Sequence, residues 1–185
     1  MTRWDSLFDD LEAQLVAEES REWRAEVTDR TRRERALVDL VGRLLGSRGR
    51  DVHVRAVGGS YHGRLQDVGP DWLLLATAFD RQVLLPLAVV RCVTGLPPGS
   101  HQPSVVARGL KLGSVLRAIS RDRAPVELVD RDGVSVTGTI DAVGMDYLEL
   151  SDHPLDEVRR AANVRARHVV PLDALAALVH QKPAS

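Results

Sequence analysis

The sequence predicts an α+β fold, mainly β, in which a long N-terminal helix is followed by two five-stranded antiparallel barrels, each preceded by a helix. Three observations predict it. A mid-chain stretch recurs 75 residues later, GRLQDVGPDWLLL against GTIDAVGMDYLEL. Gly63, Leu65, Val68, Gly69, Asp71, Trp72, Leu73 and Leu75 fall opposite Gly138, Ile140, Val143, Gly144, Asp146, Tyr147, Leu148 and Leu150. Around each copy the chain breaks into short apolar or alternating runs separated by turn residues, the pattern of a small antiparallel barrel. Ahead of each copy, leucine-rich residues recur at helical spacing.

Taken in order, residues 1–35 form the first segment. Trp4, Leu7, Phe8, Leu11 and Leu15 make an apolar helical stripe, and no proline or glycine interrupts residues 3–41. A single helix of that length would span about 60 Å, more than a small barrel can cover. Its middle is strongly charged, with Trp23 and Val27 as the large apolar residues, so a break or a solvated stretch fits there.

The first barrel is assigned to residues 36–96 and the second to 110–180, with a Pro- and Gly-rich linker at 97–109 and a tail at 181–185. Leu37, Leu40, Val41, Leu44 and Leu45 build the helix before the first barrel, and Leu112, Val115, Leu116 and Ile119 the helix before the second. VHVRAVGG at 52–59 and VELVDRDG at 126–133 correspond at an offset of 74 and read as alternating strands that end in glycine turns. Gly58 with Gly59, and Gly133, supply the backbone freedom of tight hairpins, whereas Gly63 and Gly138 stand mid-strand where a small barrel must bend. VLLPLAVVRCV at 83–93 matches HVVPLDALAAL at 168–178 at an offset of 85, so the second copy carries a ten-residue insertion around LDEVRRAANVRAR. Pro86 and Pro171, opposite one another, favour an edge or a bulge.

Composition narrows the function classes. The 185 residues carry 25 basic and 26 acidic groups, a net charge of −1. No apolar run approaches the roughly 20 residues of a membrane span, and the acidic start lacks the pattern of a signal peptide. A soluble, cytoplasmic protein is expected. The single cysteine, Cys92, excludes an intramolecular disulfide and a multi-cysteine zinc site. In its apolar run it reads as a buried small side chain.

The order helix, V-x-V-x-x-x-x-G, G-x-L-x-x-V-G-x-D-aromatic-L-x-L and a final pair of strands resembles the Sm-like (LSm) superfamily of small barrels, here as a tandem pair. The resemblance implies the Sm-like, or SH3-like, five-stranded barrel for each copy and points to RNA. The Asp and Asn of the usual uridine pocket and its Arg-Gly pair are replaced here by VGPDW and VGMDY, and by LLPLAV and VVPLDA, so no pocket residue carries over. The whole chain, with its W-x-x-L-F-x-D-L-E-A-Q-L start, is also similar to an actinobacterial family often labelled hypothetical protein or Fis-family transcriptional regulator. No basic helix-turn-helix with a recognition helix is present to match the second label.

Candidate sites follow from charge and pattern. Lys111, Arg117, Arg121 and Arg123, with Arg108, form the most one-sided basic segment, and Arg159, Arg160, Arg165 and Arg167 lie in the insertion, either as phosphate contacts, which arginine's forked donors suit, or as a solvated hairpin beside Asp156 and Glu157. Arg30, Arg32, Arg33 and Arg35 alternate with acids at helical spacing and read as intrahelical pairs. Trp72 and Tyr147 read as packing residues rather than base-stacking platforms, and Asp71 and Asp146 as turn acids bonding their own backbone. Six histidines show no metal-ligand spacing, and Ser60, Ser114, Ser135 and Ser151 lack a nucleophile-elbow context. No catalytic residue, metal or cofactor is expected. The reading is therefore a non-catalytic adaptor associated with nucleic acid, RNA in particular, through those basic residues. The alternative is a protein-interaction or self-association module acting through Trp4, Leu7, Phe8, Leu11 and Leu15.

Overall fold

Alternation of apolar and polar side chains makes Asp51–Ala56 a strand with one buried face: Val52, Val54 and Ala56 point inward between exposed His53 and Arg55. Gly58, at φ 81°, closes the hairpin to the next strand. The computed structural model describes residues 23, 39–78, 80–97, 109–154, 160 and 162–181. The chain divides into two compact units, Met1–Asp39 and Leu40–Ser185. In the first unit Trp23 is exposed; the stripe Trp4, Leu7, Phe8, Leu11 and Leu15 lies outside the described residues.

The second unit runs α1 (Leu40–Leu45), β1 (Asp51–Ala56), β2 (Gly59–Val68), β3 (Trp72–Ala76), β4 (Arg81–Pro86), a 3-10 turn (Leu87–Val89) and β5 (Val90–Thr94). It continues with α2 (Leu112–Asp122), β6 (Pro125–Asp130), β7 (Ser135–Val143), β8 (Tyr147–Asp152), β9 (Ala166–Pro171) and β10 (Leu175–Gln181). The expected architecture of a long N-terminal helix and two barrels is corrected here. All ten described strands belong to one open antiparallel sheet, in the order β5-β1-β2-β3-β4-β10-β6-β7-β8-β9, and α2, with 11 residues, is the longer of the two described helices. The reason lies in the unpaired backbone groups of β4. Leu84, Val83 and Gln82 pair with Leu178, Val179 and His180 of β10, so the two five-stranded halves share one ladder.

Within the halves the register agrees position for position. Val54 opposes Val93 and Leu128 opposes Leu178; Trp72 opposes Pro86 and Tyr147 opposes Pro171. Even the irregularities correspond, after Leu65 in β2 and after Ile140 in β7. The helices agree less closely. Their fully buried side chains are Leu44 and Leu116, 72 residues apart rather than 74, and the turns that follow differ, residues 46–50 before β1 against residues 123–124 before β6.

Two cores result. One contains Leu44, Val52, Val54, Leu65, Leu73, Leu75, Val83 and Leu85. The other contains Leu112, Leu116, Leu128, Ile140, Leu148, Leu150 and Leu178, and it takes Trp72 and Leu84 from β3 and β4. Those two strands are therefore covered on both faces, which is why their sequences, WLLLA and VLLP, are apolar without alternation.

Cys92 departs from expectation: it is exposed. Arg55 pairs with Cys92 but Ala56 with Val90, so Arg91 is an extra residue in β5 and both Arg91 and Cys92 turn outward.

Close strand contact makes Gly138 irreplaceable, since a Cβ there would lie 2.0 Å from the Ser151 carbonyl oxygen. Gly138→Ala is expected to destabilise the protein by about 1–3 kcal/mol in urea denaturation, through backbone displacement. Tyr61, half-buried against the first core, has its pKa raised above the ordinary 10.0, first by burial and then by the charge of Glu127. A raised folded pKa gives stability that is complete below pH 10.0 and is lost as pH rises through the folded value. Tyr61→Phe should therefore flatten the stability profile above pH 10.0, measured by denaturation across alkaline pH.

Candidate functional site

The turn before β3 places Asp71 and Trp72. Gly69 N–H donates to the Trp72 carbonyl at 2.9 Å, and Leu87 N–H donates to the Asp71 carbonyl at 2.8 Å. This leaves the Asp71 carboxylate free to accept from the Leu112 N–H at 2.8 Å. Lys111, the N-cap residue of α2, makes no side-chain cap bond itself, so a carboxylate from the first half caps the helix of the second, satisfying an orphan donor. Trp72 Nε1 donates to the Leu110 carbonyl at 2.9 Å. Trp72 is thus a packing residue, as expected, whereas Asp71 bonds to α2 instead of to its own turn.

The basic residues do not form one cluster of free cations. Lys111, Arg117, Arg121 and Arg123 are all exposed along α2 and its ends. Arg117 donates to the Gly144 carbonyl at 3.2 Å, and Arg123 pairs with Asp141 at 3.3 Å. Arg160, Arg165 and Arg167 are also exposed; Ser151 opposes Arg167 and the Arg165 N–H donates to the Asp152 carbonyl at the C-terminal end of β8, the end that Arg123 approaches through Asp141 and Ser151, whereas Arg117 lies at the Gly144 end. Gly144 and Asp152 are separated by the length of β8, about 20 Å for six extended residues. Arg159, Arg108 and the arginines at 30, 32, 33 and 35 lie outside the described residues.

A polar network between β7 and β8 escaped the sequence reading. The register shift after Ile140 makes Asp141 the extra residue of a bulge in β7, and its carboxylate accepts from the Ser151 hydroxyl and from Arg123. His153 is buried, with Nδ1 2.8 Å from the Pro154 carbonyl and Nε2 2.8 Å from the Thr139 hydroxyl. A carbonyl only accepts, so Nδ1 donates to Pro154, and both ring nitrogens are hydrogen-bonded. Ser151 donates to a carboxylate rather than to an imidazole, and its side chain is fully buried, so the set lacks the relay a serine nucleophile needs. By alternation Ser151 and His153 share the face of exposed Tyr147 and Glu149, opposite Leu148 and Leu150, so the strand pattern carried no sign that both are buried.

Among the described residues no group of three or more His, Cys, Asp or Glu is placed to hold a metal ion. No helix among them is long and apolar enough to cross a membrane. A groove crosses the β4–β10 seam, with Leu74, Gln82 and Leu84 on one side and Ile119, Asp122 and His180 on the other.

The same seam exposes a difference between the halves. Trp72 and Leu84 are 5% and 2% exposed, while their counterparts Tyr147 and Val169 are 38% and 67% exposed, and nearby Met145 is 90% exposed. In the first half α2 covers this face. In the second, no described element does.

Compared with known proteins, the chain matches no family model, and no curated protein matches it.

Removing the Asp71 carboxylate should cost α2 its cap: Asp71→Ala is expected to lower stability by about 1 kcal/mol in thermal or urea unfolding, and Asp71→Asn, which keeps an acceptor, by less.

Proposed function

We propose that this chain is a non-catalytic, cytoplasmic adaptor that binds nucleic acid through exposed basic side chains of its second half. The observation that carries the reading is that the side chains of Lys111, Arg121, Arg165 and Arg167 are exposed and make no ion pair among the described residues. Their charge is therefore available to phosphates. The wider charge balance supports it: residues 40–185 carry 18 basic and 15 acidic groups, whereas residues 1–39 carry 7 and 11. Arg117 and Arg123 contribute less, since each already serves a partner within the fold. Resemblance to Sm-like proteins makes RNA the favoured polymer. Exposed Met145, Tyr147 and Val169 favour a second activity, association with protein.

Titrating the full-length protein into labelled single-stranded RNA at several salt concentrations tests the reading. Binding should weaken with salt, and the triple change Lys111→Ala, Arg121→Ala, Arg165→Ala should flatten the slope of log K against log salt by about 2, at roughly 0.7 per lost contact on a single strand. No binding at low salt, or equal binding by the triple variant, would sink it.

A further inference from the structure

We propose that the groove over the β4–β10 seam binds a small organic ammonium ion, a primary amine carrying an aryl or branched alkyl group, with the Asp122 carboxylate as its counter-ion. The inference goes beyond nucleic-acid binding and does not depend on it.

The strand register builds the groove. Leu84 opposes Leu178 and Gln82 opposes His180 across the seam, and Leu74 opposes Leu84 on the β3 side. Residues two apart in a strand share a face, so Gln82 and His180 lie on the face of Leu84 and Leu178, which enters the second core together with Leu112 and Leu116 of α2. Ile119, Asp122 and Ala124, from the last turn of α2 and just beyond it, line the groove with them. The space between is about 210 Å³. That admits one aromatic ring and a short chain, since a cavity of roughly 150 Å³ takes benzene. Leu74 and Ile119 pack against the core yet stay half-buried, so an apolar body laid over them removes further surface from water.

The polar groups around this apolar floor are matched to a donor. Gln82 donates from its amide nitrogen to Gln66 Oε1 at 2.8 Å, which leaves its own carbonyl oxygen as an acceptor. His180 Nδ1 lies 3.3 Å from the Pro125 carbonyl; a carbonyl only accepts, so Nδ1 donates, and in the neutral ring Nε2 accepts. The exposed Asp122 carboxylate makes no hydrogen bond or ion pair among the described residues. Arg121 and Arg123 flank it in sequence, but residues one apart on a helix do not face each other, and Arg123 is held by Asp141 at 3.3 Å. The last carbonyls of the 11-residue α2 add partial negative charge at the same end. An anion would meet a carboxylate here, and a neutral ligand would leave that carboxylate unpaired. An ammonium group brings a positive charge and donors alone, on a body that the leucines and Ile119 can cover.

Titrating the full-length protein with phenethylamine, followed by amide-resolved NMR, tests this. Saturable shifts are expected at the Ile119 and Asp122 backbone amides and at the Gln82 side-chain amide, with a Kd on the order of 1 mM for so small a ligand. Phenylacetate, of like size and opposite charge, should leave the same signals in place. Asp122→Asn, at an exposed position, should weaken phenethylamine binding about fivefold within an otherwise unchanged spectrum, and Asp122→Lys should move the preference to phenylacetate. No saturable shift up to about ten times that concentration, shifts confined to other parts of the protein, or equal binding of phenylacetate by the wild type overturns the proposal, as does an amine affinity that Asp122→Asn leaves unchanged.

Discussion

The pairing of β4 with β10 is the contact on which the rest of the second unit depends. β10 is the last strand of the chain, yet it lies in the middle of the sheet, between β4 and β6. Through it Ala177 enters the first core and Leu175 and Leu178 the second. Neither core is complete until residues 175–181 have docked against strands formed some 50 to 100 positions earlier. Docking β10 is thus a long-range closure, which is costly in chain entropy before its contacts form. Once closed, the seam is sealed from above: Trp72 anchors the segment entering α2 at the Leu110 carbonyl, and Asp71 caps the helix.

Much of this was legible in the residues. Offsets of 74, 75 and 85 between the halves of the sequence reappear as equal strand registers, because in a sheet the side-chain period ties pairing to pattern. The glycines at 58 and 133 adopt positive φ at the hairpins, and Trp72 packs as its position before a core strand suggests. The union of the halves was not legible. A strand edge carries no side-chain signature for the partner that completes it, so five strands with matching turns read as a closed unit. Cys92 failed for a related reason. Its neighbours Val90 and Val93 are apolar, but the bulge at Arg91 changes which face it occupies, and one inserted residue in a ladder leaves no mark in hydropathy.

A clue to the seam did exist in the differences between the halves. WLLL in β3 corresponds to YLEL in β8, and VLLP in β4 to HVVP in β9. Where the first half is apolar on both faces, the second alternates or turns polar. A strand buried on both sides cannot hold Glu149 or His168 without a partner for each, since an unpaired buried charge or ring nitrogen is costly. The first half was thus marked as interior to something larger and the second as lying beside an open boundary. Its polar network carries the same asymmetry: Asp141, Ser151 and His153 stand where the first half has Gln66, Ala76 and Ala78.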